Sequence, residues 1–562
     1  MNKKYVSKML AAFLCFSLVT GMAGCGTGQP AREKAAGSQS TEAQTSISAE
    51  EEQISLPVPK EVPMEDNYRT WYEVFVYSFY DGDGDGIGDL KGLMAKLDYI
   101  NDGDSETMED LGCNGIWLMP IMPSTTYHKY DVTDYCDIDP EYGTMEDFEA
   151  FMASCNERGI KVILDLVINH SSSQHPWFQE ACGYLAGLGE GEPSLEECPY
   201  VDYYHFAKEK QSGYCPVPGS DIWYYEARFW EGMPDLNLSS EAVRQEIESI
   251  VEFWLAKGVG GFRLDAAKEY VSGDKNANIE ILTWFTQMVK EKKQDAYLVA
   301  EVWTDMNTYG EYYESGIDSI FNFAFADSGG IIANVVKGSS PASLYSNSLV
   351  ESAKLFRGYN PDYIDAPFYT NHDMGRSAGY YAGDFSESQT KISGALNLLM
   401  SGSAFIYYGE ELGMKGAGKD ENKRAPMYFS TDSQAEGMCA GPANMDDVKM
   451  KYGSLEEQEG DPNSIYHYYK KAIYLRNLYP ALRKGEVESL SEYSSETMAA
   501  FLKTWEDEVL TIFCNLSGEQ QTITVSQDKW QGIENGLYVD DEEAVYEGDT
   551  LTLPPYGIVI LK

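Results

Sequence analysis

The 562-residue chain lacks an apolar run of the ~20 residues that a membrane-spanning helix needs; its leading run, Met9 to about Val19, stops short. Positive charge is scarce: 42 Lys and Arg stand against 90 Asp and Glu, a formal net charge of −48. That balance argues against nucleic acid or an anionic membrane as partner and is indifferent to a neutral polysaccharide. Among the ten cysteines no pair is spaced CxxC, and no histidine sits at zinc-ligand spacing. Eight cysteines (Cys113, Cys136, Cys155, Cys182, Cys198, Cys215, Cys439, Cys514) lie beyond the leader, and Cys182, Cys198 and Cys215 are the best local candidates for disulfides. No internal repeat is visible. What the chain does have is ample core material, 43% hydrophobic, and many aromatics, including 41 Tyr.

The N-terminus carries Lys3, Lys4 and Lys8 before the short apolar run, the shape of a secretory leader. Met22-Ala23-Gly24-Cys25 resembles the lipobox of bacterial lipoproteins, which implies a signal peptide over 1–25 and lipidation at Cys25. Residues 26–63 are rich in Ser, Thr, Ala, Gln and Glu and almost free of aromatics, and so read as a flexible tether. The expected location is the outer face of the cell membrane, lipid-anchored, with the protein a monomer.

Short apolar strands then alternate with helix-period stretches, the signature of a parallel α/β sheet. Strands are predicted near Glu73–Ser78, Gly115–Met119, Lys161–Val167, Gly261–Asp265, Tyr297–Val302, Ser319–Phe323, Ala366–Thr370 and Ala404–Tyr408. Eight in series suit a closed (β/α)8 TIM barrel over 64–170 and 236–484, with chemistry at the C-terminal strand ends. Helices fit between them at Thr144–Arg158 and Ser240–Lys257, and a last one at Ser464–Tyr479 ends at Pro480. The stretch 171–235, after the third strand, has little periodicity and reads as an irregular inserted subdomain. From 485 to 562 short alternating strands, such as Ala499–Thr504, Val509–Asn515, Gln521–Val525 and Ile558–Leu561, predict an antiparallel β-sandwich.

Three predicted strands end on acids: Asp265 after Gly-Phe-Arg-Leu, Glu301 after Leu-Val-Ala, and Asp373 after Thr-Asn-His. Carboxylates buried at strand ends are costly unless paired or used. Glycosidic bond cleavage uses such acids, one as nucleophile, one as proton donor, and further charge for an oxocarbenium-like transition state. Arg263, two residues before Asp265 on the same strand face, can hold that carboxylate ionised.

Taken with Gly-Ile-Trp-Leu-Met-Pro (115–120), Asp-Leu-Val-Ile-Asn-His (165–170) and Met-Pro-Asp-Leu-Asn (233–237), these segments resemble the α-amylase family, glycoside hydrolase family 13. The resemblance covers about residues 66–562. It implies that Asp265 is the nucleophile, Glu301 the general acid/base and Asp373 the transition-state stabiliser of a retaining hydrolase of starch and related α-glucans. It further implies substrate contacts from Tyr130, the aromatic platform, with His128 and Asp131 beside it, and from His170, Arg263, Lys268, His372 and Arg376.

The segment Asp81-Gly-Asp-Gly-Asp-Gly-Ile-Gly-Asp89 places oxygens at the first EF-hand positions, but Gly92 stands where the closing Glu would be. It resembles instead the calcium loop after the first barrel strand of oligoglucosidase-like members, with Asp81, Asp83, Asp85, the Ile87 carbonyl and Asp89 as implied ligands of Ca2+. Asn169 matches a ligand of a second calcium in many amylases. On specificity the resemblances divide. Tyr127, where exo-acting relatives carry Asp, and Ala266, where strict 1,6-cleaving relatives often carry Val, imply an open cleft acting on α-1,4 bonds. Lys268-Glu269 departs from the Lys-His of many amylases, and the loop Lys419–Met427 resembles the oligoglucosidase side. An exo-acting α-glucosidase, an oligo-1,6-glucosidase or a neopullulanase therefore stays open, as does a non-catalytic glucan-binding or partner subunit.

Overall fold

The computed structural model describes residues 57–526 and 529–562. The expected leader, Cys25 and most of the tether lie outside the described residues. No helix among those described is long and apolar enough to cross a membrane.

The core is a parallel barrel. Its strands are β1 (Thr70–Val74), β2 (Gly115–Leu118), β3 (Lys161–Leu166), β4 (Gly261–Leu264), β5 (Tyr297–Ala300), β6 (Ser319–Ile320) and β7 (Ala404–Tyr407). They pair in the order β7-β1-β2-β3-β4-β5-β6. The ring closes through the segment around Phe368, which bridges Phe321 beyond β6 and Phe405 in β7. This eighth position, expected to be a strand at Ala366–Thr370, makes only isolated bridges. Pro367 has no N–H to donate, so a regular ladder cannot run through it. The first strand also sits earlier than expected, because the apolar run continues past Val74 into a 3-10 turn at Val76–Ser78. Nothing in an unbroken apolar run marks where its strand ends.

Strand alternation sorts the side chains. Trp71, Trp117, Ile163, Tyr297, Val299, Phe321, Phe368 and Phe405 fill the barrel interior, with Trp71 stacked between Tyr297 and Phe405 at 5.0 and 5.8 Å. The alternate residues, such as Tyr72, Val74, Phe262 and Leu264, pack outward against the helices. Those helices begin where the sequence signals them. Thr144 and Asp147 form a capping box on Met145–Glu157, and Ser240 caps Glu241–Ala256. At the C-terminal end Pro480 does not stop the chain but opens a second short helix, Pro480–Lys484, a position where its missing N–H costs nothing.

The insertion is more regular than its sequence suggests. It holds a 13-residue helix, Pro176–Leu188, and a small antiparallel sheet of Phe206–Ala207, Tyr214–Pro216 and Tyr224–Glu226. The helix is rich in apolar residues and glycine, which blurs its periodicity. Beyond residue 485 a five-stranded and a three-stranded antiparallel sheet enclose Phe513, Trp530, Leu551, Leu553 and Val559, a β-sandwich core. All eight cysteines of the described residues are free thiols, the candidates Cys182, Cys198 and Cys215 among them.

Arg476, on the last long helix, is fully buried and donates to the carbonyls of Leu398, Met400 and Gly402, each at 2.6 Å. It ties that helix to the turn that enters β7. Arg476→Met would strand three buried acceptors. We expect it to lower unfolding free energy by about 3 kcal/mol, read as a fall in the urea midpoint; an unchanged midpoint would refute this role.

Candidate active site

The same alternation that fills the barrel with aromatics brings charge to its C-terminal mouth. Glu73 (β1), Asp165 (β3) and Arg263 (β4) each follow an interior position by two residues, and Glu301 follows Val299 at the end of β5. Arg263 is fully buried. Its Nη1 donates to Asp165 at 2.8 and 3.0 Å and to Asp265 Oδ1 at 2.7 Å, and its Nη2 donates to Glu301 Oε2 at 2.8 Å. One guanidinium thus holds three carboxylates, two of them the predicted acids.

Glu301 also accepts from the Ala266 N–H at 3.0 Å. Ala266 takes a left-handed φ of 47°, a strained turn for a residue with a Cβ. Burial pushes the Glu301 carboxyl up to about 7; Asp265 and Asp373 add to this, while Arg263 and the Ala266 N–H oppose it. Burial likewise raises Asp165 to about 6 against the pull of Arg263.

Asp373 behaves oppositely. Burial would raise it, but His372 and then Arg424 and Arg263 hold it well below the usual carboxylate range. His372 Nε2 lies 3.2 Å from Asp373 Oδ2, and Arg424 Nη2 donates to Oδ1 at 3.1 Å. His372 Nδ1 lies 2.6 Å from Glu73 Oε1. Its Nε2 also meets Tyr130 Oη at 2.7 Å, and that hydroxyl donates to Asp165 Oδ2 at 3.0 Å. An unbroken polar chain therefore runs from Glu73 through His372, Tyr130 and Asp165 to Arg263 and the two remaining acids. Glu73, Asp165 and Arg424 are members that sequence reasoning missed.

His170 is buried, with Nε2 on the Tyr130 carbonyl at 3.2 Å; burial lowers its pKa and keeps the ring neutral. His128 Nδ1 receives the Tyr130 N–H at 3.2 Å, and burial, then Arg424, push it down to about 4. Three expected substrate contacts have protein partners of their own. Asp131 is fully buried, and the hydroxyls of Ser124, Thr125 and Thr126 hold it below the usual range against the effect of burial. It organises the turn that presents Tyr130. Arg376 is held by backbone carbonyls. It is buried, spans the carbonyls of Lys423 and Tyr408 at 2.9 and 2.5 Å and so supports the loop that carries Arg424. Lys268 is half-exposed and pairs with Glu269 at 3.2 Å.

Two large aromatics stay in solvent beside these groups. Phe229, from the insertion, is 53% exposed and rests on His170 with ring centroids 5.4 Å apart. Trp303, two residues past Glu301, is 46% exposed and stacks on Phe323 at 5.3 Å. Polar groups between exposed aromatic faces suit a sugar, which has an apolar face and a rim of hydroxyls.

In the loop after β1, ligand atoms of Asp81, Asp83 and Asp89 lie within 4.8 Å of one another. Asp85 is not one of this group; its Oδ1 accepts from the Ile87 N–H at 2.8 Å. Asn169 donates to Asp235 Oδ1 at 3.3 Å.

Comparison with known proteins places these residues in context. The family model described as "Alpha amylase, catalytic domain" matches residues 73–485. Alpha-amylase 3 of Dictyoglomus thermophilum is 39% identical over 88% of this chain and 92% of its own length. The oligo-1,6-glucosidase of Parageobacillus thermoglucosidasius is 28% identical over 79% of this chain and 89% of its own. Among solved structures, Eubacterium rectale Amy13B is 48% identical, covering 90% of this chain and 97% of that one, with a TM-score of 0.86.

Arg263→Lys would keep one charge but lose the planar fork that reaches three carboxylates. We expect it to cost about 3 kcal/mol of stability, measured by equilibrium denaturation. A variant as stable as the parent would show that the fork is not what holds the acids.

Proposed function

The chain belongs to the α-amylase family and is a glycoside hydrolase of α-glucans, and from that premise we propose how its residues cleave the bond. Asp265 is the nucleophile, Glu301 the general acid/base and Asp373 the group that grips sugar hydroxyls as the ring flattens. The observation that carries this reading is geometric: Arg263 holds Asp265 and Glu301 at 2.7 and 2.8 Å while His372 and Arg424 hold Asp373 at 3.2 and 3.1 Å, surroundings that raise Glu301 and lower Asp373. Such separation is how one site runs acid and base chemistry together.

In the first half-reaction an Asp265 oxygen forms a bond to the anomeric carbon. The bond from that carbon to the leaving oxygen breaks, and that oxygen takes the Glu301 proton. In the second half Glu301, now a carboxylate, removes a proton from water, whose oxygen displaces Asp265. Two inversions retain configuration. Arg263 keeps hold of both carboxylates through both steps, and Tyr130 offers its ring to the sugar between them.

We further propose α-1,4 bonds within starch and maltodextrins as the substrate. Tyr127, a neutral residue beside Arg424 at 3.3 Å, supports an open cleft over a sealed one. Exo-acting cleavage is the competing reading. Starch and maltoheptaose decide between them: short maltooligosaccharides are expected from the parent enzyme, and none from Asp265→Asn. Glucose alone as the first product would transfer the reading to an exo α-glucosidase, and no product at all would restore a non-catalytic role.

Because Glu301 must donate a proton, kcat/KM should fall tenfold per pH unit as pH rises above about 7. In Glu301→Gln the residual rate on an activated substrate that needs no proton should lose this limb. A limb that persists unchanged would assign it elsewhere.

We propose that Asp81, Asp83 and Asp89 hold Ca2+, since three mutually close carboxylates repel one another without a cation. Calcium at a hundredfold excess over Kd should add about 2.7 kcal/mol of stability. Chelation should lower the melting temperature of the parent and leave Asp81→Ala unaffected. Equal responses would remove the site. Attachment to the outer membrane face through Cys25 completes the proposal; its support is the sequence of the leader alone, and lipid labelling that survives Cys25→Ser would overturn it.

A further inference from the structure

Glu73 has no part in the reaction as described, yet it is among the most costly residues in the barrel. It is 1% exposed, sits on the interior face of β1 next to an aromatic core, and has His372 as its close partner, at 2.6 Å. A lone carboxylate in that position is stable only if it is paired.

The partner is held from both ends. His372 Nδ1 faces Glu73, and its Nε2 faces Tyr130 Oη at 2.7 Å and Asp373 Oδ2 at 3.2 Å. The edge of Trp117 closes one side, with ring centroids 5.7 Å apart. Tyr130 Oη already donates its proton to Asp165, so towards His372 it can only accept. Asp373, held ionised, can also only accept. Nε2 must therefore carry a proton. For Nδ1 to carry one too, as the Glu73 contact invites, the ring must be an imidazolium.

We propose that Glu73 is a positioning residue for glycoside cleavage: it keeps His372 doubly protonated, and through that ring fixes Asp373 and the platform Tyr130. The inference rests on the reading of Asp265, Glu301 and Asp373 given above. The charged groups that face His372 or its two carboxylate partners are Glu73 from β1, Asp165 from β3, Arg263 from β4, Asp373 from its own loop and Arg424 from the loop after β7. Burial alone would lower the histidine, but Asp373 and Glu73 together push it up to about 9. Its charged form is therefore complete below the ordinary histidine range and is lost only as pH rises through about 9.

Glu73→Gln keeps the shape and removes the charge. Loss of a buried carboxylate in contact at 2.6 Å lowers a histidine pKa by about 2–3 units, the upper part of the usual range, which brings His372 from about 9 to about 6–7. Two readouts test this. The first is imidazole NMR of the parent and of Glu73→Gln, with the resonance of His372 assigned by its absence in His372→Gln. The second is kcat/KM on α-maltosyl fluoride, whose leaving fluoride needs no proton from Glu301, so the Glu301 limb is removed from the profile.

The parent should titrate His372 near pH 9 and hold its rate on the fluoride through pH 8. Glu73→Gln should titrate it below 7 and lose about 30-fold at pH 8, with a change of no more than about threefold at pH 5.5. A residue that served folding alone would lower the rate equally at both pH values. A parent His372 that is neutral at pH 7 overturns the proposal, and so does a midpoint unmoved by Glu73→Gln. If Glu73→Gln fails to fold, the titration of the parent still decides. A parent inactive on α-maltosyl fluoride at every pH would instead sink the assignment of the three acids, whatever the titration of His372.

Discussion

Everything at the mouth of this barrel depends on one buried cation. Arg263 makes four hydrogen bonds to three carboxylates in a place that water does not reach. Removing that charge would leave Asp165, Asp265 and Glu301 to repel one another in a medium of low polarity, at a cost of several kcal/mol. A guanidinium is suited to this because its fork has fixed geometry and does not give up its proton when buried. A lysine has one nitrogen and readily loses its charge in such surroundings. The Trp117 ring, 5.2 Å from the guanidinium carbon, gives the fork an aromatic floor.

From that anchor the acids divide by surroundings and not by type. Glu301 has only half of the Arg263 fork and a backbone N–H to favour its charge, and two carboxylates nearby to oppose it. Asp373 has His372 on one oxygen and Arg424 on the other. The two acids are therefore pushed in opposite directions by their surroundings, without any difference in intrinsic acidity that would explain it. Asp165 is the third tether of Arg263 and also accepts from Tyr130, so the platform ring and the guanidinium are fixed by the same carboxylate.

Much of this was legible in the sequence, for particular reasons. Asp265, Glu301 and Asp373 stand out because each ends a short apolar stretch, where a charge is anomalous. The barrel was legible because its strands alternate with capped helices. Glu73 was not, because it lies inside the unbroken run Trp-Tyr-Glu-Val-Phe-Val, whose interior face is visible only once the register with β2 and β7 is known. Arg424 was hidden for a different reason: it reaches Asp373 from 51 residues away, and sequence carries no signal for a contact between loops. Asp131 was misread because adjacency to Tyr130 suggested a shared task, whereas its carboxylate turns back into its own loop. Arg376 was misread in the same way, by its nearness to Asp373.

Arg424 also explains why the specificity signals divided. Tyr127 and the loop 419–427 imply opposite things about chain length when taken as separate evidence, but they are two sides of one contact: Arg424 Nη1 meets Tyr127 Oη at 3.3 Å. The guanidinium spends its strong interaction on Asp373 and reaches Asp420 only at 3.7 Å, so what remains for Tyr127 is a long bond to a neutral phenol. A bond of that kind is weaker than a bidentate bond to a carboxylate. Arg424 thus serves Asp373 first, and its hold on Tyr127 is secondary. One side chain therefore sets the charge at Asp373 and the position of Tyr127 together, so a residue and a loop that look like separate signals in the sequence are one contact in the fold.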